Sequence, residues 1–162
     1  MSQPTALSYV CEIEDRPERS TISVRTRAAV QDLPQLFGRI YGALMQYMAE
    51  TGAQPAGEPF AAYFNMDMQN LDVEIGFPVS KPLPDRDDIK GGVLPAGKYA
   101  ATTHVGPYDT VGPAYEALTH YVKANGCEPT GVAYEFYFSG PETPPEEIQT
   151  QIVFPVKAGQ TQ

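Results

Sequence analysis

Hydrophobic and polar residues alternate in two stretches that lie far apart in the chain. In TISVRTRAA (21–29), apolar or small side chains alternate with polar ones, and GKYAATTHV (97–105) shows the same pattern. A period of two residues is typical of a strand that buries one face. We therefore predict a strand in each stretch.

After each predicted strand, apolar residues recur at steps of three and four, which indicates an amphipathic helix. We expect the first helix to begin at Asp32 as N-cap and to end at Gly52. The second should run from a cap at Asp109 or Thr110 to Gly126. The predicted buried stripes are Leu33, Leu36, Phe37, Ile40, Tyr41, Leu44 and Met48 in the first helix and Val111, Ala114, Tyr115, Leu118 and Val122 in the second.

Two more strands are predicted after each helix. One covers residues 59–65 after the first helix and 132–139 after the second. The other follows a polar turn and ends in Phe-Pro-Val, at 77–79 and again at 154–156. The order strand, helix, strand, strand therefore occurs twice.

The two halves are copies of one supersecondary unit. Residues 41–65 match residues 115–139 at one constant offset, from Tyr41 to Tyr115, and the Phe-Pro-Val strands match after three extra residues in the second hairpin. Such self-similarity identifies a tandem repeat. We predict one domain over 1–162, with repeat units at about 20–80 and about 92–157.

The repeat predicts an α+β fold. A three-stranded sheet with one helix covers only one of its faces, so two copies are expected to associate through a pseudo-two-fold axis. Their antiparallel sheet would then curve around a central groove. The leading YVCEIED (9–15) is expected to add an edge strand, and SKPLPDRDDIKGG (80–92) to form a charged surface linker.

Composition and charge narrow the function. Hydrophobic residues make up 42% and charged residues 19% of the chain, no stretch approaches the roughly 20 apolar residues of a membrane helix, and no signal peptide is apparent. We expect a cytoplasmic protein. The net charge of −9 disfavours direct binding of nucleic acid. Cys11 and Cys127 lack the spacing of metal or redox motifs, so neither a cofactor nor a metal is expected.

One carboxylate stands out in the aromatic stretch AYEFYFSGP (133–141), which has the composition of a strand with a packed face. A lone acid such as Glu135 is unfavourable in those surroundings. It either faces water or has a cation as its partner. By alternation, Tyr137 shares the face of Glu135.

Several motifs, in this order and spacing, are similar to those of one family. They are LPAGKYA (94–100), HVGPYD (104–109), the Ala-Tyr pair at 114–115, YEFY (134–137) and the two strands that end in Phe-Pro-Val. From about Tyr9 to Val156 the chain resembles the GyrI-like small-molecule-binding domains, also called effector-binding domains of bacterial transcription activators. That resemblance implies tandem strand-helix-strand-strand units around a ligand groove.

The resemblance also implies a ligand site. Glu135 stands where many family members carry a carboxylate in the groove, which serves multidrug-sensing members as the counter-charge for lipophilic aromatic cations. Tyr137 and its repeat partner Tyr63 are then the expected aromatic walls, and Tyr108 is the next candidate. Aromatic rings attract a delocalised cation by roughly 0.5–2 kcal/mol each.

The resemblance, taken with these residues, leaves three functions open. The first is a stand-alone binding protein that senses or sequesters small amphipathic, aromatic or cationic molecules. The second is a hydrolase that opens strained-ring genotoxins of the cyclopropanoid kind, with Glu135 and a groove tyrosine as catalytic groups. The third, which the resemblance implies because some family members bind DNA gyrase, is a protein-inhibitor domain that would use its acidic surface. For the first function, control of transcription would require a separate regulator as partner. The pattern leaves open whether the protein is a monomer or a dimer, and predicts no membrane contact.

Overall fold

The computed structural model describes residues 9–65, 67–107, 110–138 and 142–158. Its helices are α1 (Leu33–Thr51) and α2 (Gly112–Ala124), and its strands are β1 (Cys11–Arg16), β2 (Arg19–Ala28), β3 (Phe60–Tyr63), β4 (Leu71–Pro78), β5 (Lys90–Leu94), β6 (Gly97–Val105), β7 (Cys127–Pro129), β8 (Ala133–Tyr137) and β9 (Gln149–Ala158). The fold is α+β, as the sequence predicts. No helix within these described ranges is long and apolar enough to cross a membrane.

The chain divides into two compact units. The first unit is Pro17–Ala96, and the second combines the residues up to Arg16 with those from Gly97 onward. In the first unit the strands lie in the order β3-β4-β2-β5, with every neighbouring pair antiparallel. In the second unit the order is β1-β6-β9-β8, again antiparallel, and the short β7 pairs with β9.

Helix α1 follows the predicted span, with differences at its start. Gly52 ends it in a left-handed conformation at a φ of 72°, which glycine adopts without steric cost. Asp32 occupies the N-cap position, but its side chain makes no capping hydrogen bond, because a 3₁₀ turn over Val30–Asp32 leads directly into the helix. The buried positions are Leu33, Ile40, Leu44, Tyr47 and Met48. Tyr47 thus joins the predicted stripe, whereas Leu36, Phe37 and Tyr41 are only half-buried.

Helix α2 begins at Gly112, and Pro113 lies in its first turn, where a missing N–H is tolerated. Of the two predicted caps, Asp109 lies outside the described residues, and Thr110 belongs to the turn before the helix. The helix buries Ala114, Leu118 and Val122. These side chains form a core cluster with residues of the sheet, namely Ala100, Ile152, Phe154 and Val156.

Two strands were not predicted. The proposed linker 80–92 overlaps β5, where KGGVL pairs with the outer edge of β2. Two glycines give this segment low intrinsic strand propensity, so tertiary pairing rather than local sequence forms the strand. β7 is similarly short and arises by pairing with the end of β9. The leading strand β1 does lie at an edge, beside β6, as predicted.

Candidate functional site

Strand β8 directs Glu135 toward helix α2. Tyr134 and Phe136 are buried on one face of the strand, while Glu135 and Tyr137 alternate onto the other. Glu135 is paired with Ile152 of β9, and Ile152 belongs to the core cluster under α2. The carboxylate is therefore on the helix-covered face of the sheet and not on an open face.

Two tyrosine hydroxyls hold the carboxylate. Tyr115, one turn into α2, donates to Oε2 of Glu135. Tyr137, two residues along the same strand, donates to Oε1 at 2.9 Å. The Tyr115 ring packs against Phe154, with ring centroids 5.8 Å apart, which fixes the direction of its hydroxyl. Each carboxylate oxygen thus accepts from a different phenol.

The electrostatic state of Glu135 follows from these surroundings. Burial raises the pKa of the carboxyl above its ordinary range, and the hydrogen bonds from Tyr115 and Tyr137 oppose that shift in part. In the described part of the chain, no lysine, arginine or histidine forms an ion pair with it. The residue keeps some exposure to solvent. The Glu135 carboxylate therefore accepts hydrogen bonds from two neutral donors, and no described residue provides its counter-ion.

A second polar row lies next to Glu135 on the same face. Thr150 of β9 is opposite both Tyr137 on β8 and His104 on β6. It is fully buried, and its hydroxyl has no hydrogen-bond partner among the described residues. A buried hydroxyl without a hydrogen-bond partner costs free energy, so Thr150 lowers the stability of the fold relative to an apolar residue of the same size.

His104 in this row connects β6 to Tyr9 and to the turn before α2 through hydrogen bonds. It is 4% exposed, its Nδ1 lies 2.9 Å from the Tyr9 hydroxyl, and its Nε2 lies 3.0 Å from Oγ1 of Thr110 and 3.2 Å from the carbonyl of Pro107. Both ring nitrogens are therefore engaged. Within the described ranges, no group of three or more potential metal ligands is found.

The residues predicted for the site fall in different places. Glu135 and Tyr137 lie together in the second unit and are hydrogen-bonded. Tyr63 lies at the end of β3 in the first unit, half-buried and paired with Val73. Tyr108 lies outside the described residues.

Sequence reasoning did not assign Tyr115 to the site, because its spacing placed it in the buried stripe of the helix. It does pack there, but its hydroxyl leaves the apolar stripe to reach Glu135. A polar tip on an otherwise apolar stripe was the available signal, since a buried phenol generally needs a partner.

Solved structures share this fold. The C-terminal domain of EcmrR is 26% identical, with 93% of this chain and 99% of that chain covered and a TM-score of 0.83. The longer EcmrR chain in a complex with DNA gives 25% identity and a TM-score of 0.81, with 93% of this chain and 58% of that chain covered. This chain therefore spans little more than half of that EcmrR chain.

Two more distant structures show the fold alone. A hydrolase from Listeria innocua is 16% identical, with 91% of both chains covered and a TM-score of 0.63. The SAV2435 protein, solved with bound tetraphenylphosphonium, is 14% identical, with 91% of this chain and 94% of that chain covered and a TM-score of 0.61.

Comparison with curated protein sequences gives no significant match. By contrast, the family model described as the GyrI-like small molecule binding domain matches residues 10–157, which is nearly the whole chain. The motifs around Glu135 and the repeated strand-helix-strand-strand order lie inside that match. The chain belongs to the family of GyrI-like small-molecule-binding domains.

Proposed function

We propose that this protein binds small amphipathic aromatic cations, with Glu135 as the counter-charge. The proposal is carried by one observation: a carboxylate on the helix-covered face of the second unit accepts hydrogen bonds from two phenols and pairs with no cation of the described chain. The protein would act as a sensing or sequestering module of the multidrug-binding type.

Glu135 suits a delocalised cation better than a hydrated one. An ionised carboxylate in partly desolvated surroundings gains most from a partner that is itself weakly hydrated. The rings of Tyr115 and Tyr137 stand beside it, and aromatic faces add cation–π attraction of roughly 0.5–2 kcal/mol each. An apolar cation would therefore neutralise the charge of Glu135 and at the same time bury its own apolar surface.

Family membership supports a small molecule as the ligand. The GyrI-like family is defined by small-molecule binding, and the EcmrR C-terminal domain has the same fold over almost all of both chains. SAV2435 supplies a probe, because tetraphenylphosphonium is an aromatic cation bound by that protein of the same fold.

A role in transcription would require a partner that contacts DNA. EcmrR has been solved in a DNA complex, whereas the net charge of −9 on this chain disfavours its own contact with phosphates. We therefore propose a separate regulator as the protein partner if ligand binding controls a gene. Two unpaired cysteines are consistent with a cytoplasmic location, which we also propose.

Hydrolysis is the second candidate, and the contact between Tyr115 and Glu135 favours it. Burial raises the pKa of the Glu135 carboxyl, which favours its protonated form, and a phenol hydrogen-bonded to it can relay that proton. Such a pair could protonate the carbonyl oxygen of a cyclopropanoid dienone as water bonds to the ring carbon, the strained C–C bond breaks, and the water gives one of its protons to solvent. Binding and turnover would then use the same side chains.

The test is titration of tetraphenylphosphonium into wild type and Glu135→Gln, followed by a thermal-shift screen of aromatic cations and neutral aromatic electrophiles with product analysis of every hit. We expect the cation to stabilise wild type and to lose at least tenfold in affinity in Glu135→Gln, a loss of about 1.4 kcal/mol. Equal affinity in the two proteins would refute the counter-charge. Recovery of a hit as its hydrolysis product would establish the enzyme instead.

A further inference from the structure

The charge of Glu135 is controlled by few neighbours. Helix α2 presents the Tyr115 hydroxyl to it and β8 presents the Tyr137 hydroxyl. On this face, strand β9 carries side chains that do not titrate in the physiological range, namely Thr150, Ile152 and Phe154. Among the described residues of the second unit, the site thus consists of one carboxyl that is hydrogen-bonded to two phenols.

These phenols accommodate both charge states of the carboxyl. A tyrosine hydroxyl carries one proton to donate and lone pairs with which to accept. With Glu135 ionised, Tyr115 and Tyr137 both donate, as observed. When Glu135 is protonated, either phenol can rotate its O–H and accept from the carboxyl without a backbone shift. An arginine or lysine in the same place would have held the group permanently ionised.

We infer that a bound aromatic cation and a proton compete for Glu135, so that binding the cation releases a proton and acid releases the cation. The inference rests on the proposed function and describes how that same site is regulated. At low pH a proton neutralises the partly desolvated carboxyl, and a bound cation neutralises the ionised form. The displaced proton passes to solvent, and no covalent bond to carbon changes.

Burial places this exchange above the ordinary titration range of a glutamate, because it raises the pKa of Glu135. Tyr115 and Tyr137 act in the opposite direction, since their donated hydrogen bonds stabilise the ionised form. The two phenols are therefore positioning residues that set the pH at which the site accepts a cation.

The experiment is calorimetric titration of tetraphenylphosphonium between pH 5 and 9, repeated in buffers of different ionisation enthalpy. In wild type we expect up to one proton released per cation bound, and affinity that weakens about tenfold per pH unit below the midpoint. A neutral aromatic probe, triphenylphosphine oxide, should show neither effect. Proton release absent at every pH, with affinity independent of pH, would overturn the exchange while leaving the binding function intact.

Two variants separate Glu135 from other titrating groups. Glu135→Gln should release no proton, and any pH dependence that survives in it would belong to another group, such as His104 on β6, and would overturn the inference. Tyr137→Phe removes a donor to the carboxylate, so the midpoint should move to higher pH. A uniform loss of affinity at all pH values would show a purely structural role for Tyr137 instead.

The first unit supplies a matched control. Tyr41→Phe deletes a phenol whose hydroxyl donates to the backbone carbonyl of Phe60 at 2.7 Å, so the midpoint should stay unchanged. If the wild-type protein binds tetraphenylphosphonium at no pH in the range, the proposed function fails, and the exchange fails with it.

Discussion

The two units build the same scaffold and equip it differently. Tyr41 in α1 and Tyr115 in α2 are repeat partners, and each packs its ring against the phenylalanine of its Phe-Pro-Val strand, at 5.3 Å from Phe77 and 5.8 Å from Phe154. Yet Tyr41 donates to a backbone carbonyl, whereas Tyr115 donates to a carboxylate. The ring contact is shared by both units, whereas the partner of the hydroxyl differs between them.

The difference extends along the face that each helix covers. In the first unit the repeat partners of Glu135 and Thr150 are Ala61 and Val73, both with 0% exposure. An apolar residue therefore fits each position. Since the scaffold does not need polar side chains there, their presence in the second unit calls for a reason outside folding.

The largest effect should come from two substitutions at repeat-partner positions, which should destabilise the two units by equal amounts. Leu44 and Leu118 are repeat partners with 0% exposure, so Leu44→Ala and Leu118→Ala should each destabilise by about 2–5 kcal/mol. Urea unfolding followed by circular dichroism measures both. A cost in one unit that is several times that in the other would show that the repeats do not share a packing scheme.

Substitutions of Tyr41 and Tyr115 should reveal the difference between their hydroxyl partners. Tyr41→Phe loses a neutral hydrogen bond, worth about 0.5–1.5 kcal/mol, whereas Tyr115→Phe loses one to a charged group, worth about 1.5–3 kcal/mol. The Tyr115 cost should shrink as the pH falls and Glu135 takes up a proton, whereas the Tyr41 cost should stay constant. Urea unfolding over a series of pH values tests this, and equal costs that do not change with pH would remove the distinction.

Glu135 should also give stability its own pH dependence. Because its native pKa is raised, folding favours the protonated form. That contribution is complete below the unfolded value of about 4.3 and is lost as pH rises through the native value. Wild type should therefore lose thermal stability relative to Glu135→Gln between pH 5 and 8, modestly because the side chain is partly solvated. Parallel melting curves in that interval would contradict the raised pKa.

The smallest effect should be a gain. Thr150→Val removes an unpartnered buried hydroxyl and installs the side chain that its repeat partner Val73 already carries. We expect stabilisation of about 1 kcal/mol, a rise of about 2–4 °C in Tm. The reverse change, Val73→Thr, should destabilise. Scanning calorimetry of both variants decides the point, and a lower Tm for Thr150→Val would mean that the hydroxyl has a stabilising partner.

Much of the fold could be predicted because its signals are local. Alternation identified β2 and β6, and three-four spacing identified both helices. β5 was missed because its two glycines carry no strand signal, and only pairing with β2 makes it a strand. Local patterns cannot report a partner that lies far away in the chain.

The candidate site was predictable in part for the same reason. Period-two alternation placed Tyr137 on the face of Glu135, and their hydrogen bond agrees. The contact of Tyr115 with Glu135 depends on how α2 lies over the sheet, and the lack of a partner for Thr150 depends on every atom around it. Neither can be read from periodicity. The expected roles of Tyr63 and Tyr108 remain predictions.

The pairing of β1 with β6 has a consequence for how the chain folds. Arg16 and Gly97 face each other in that ladder, so the entire first unit is a loop between two neighbouring strands of the second. Closing so long a loop costs conformational entropy, which is offset only once β1 makes its contacts with β6. Such non-local pairing is slow. During synthesis, β1 leaves the ribosome long before its partner exists. We therefore expect the first unit to fold ahead of the second, with β1 docking late.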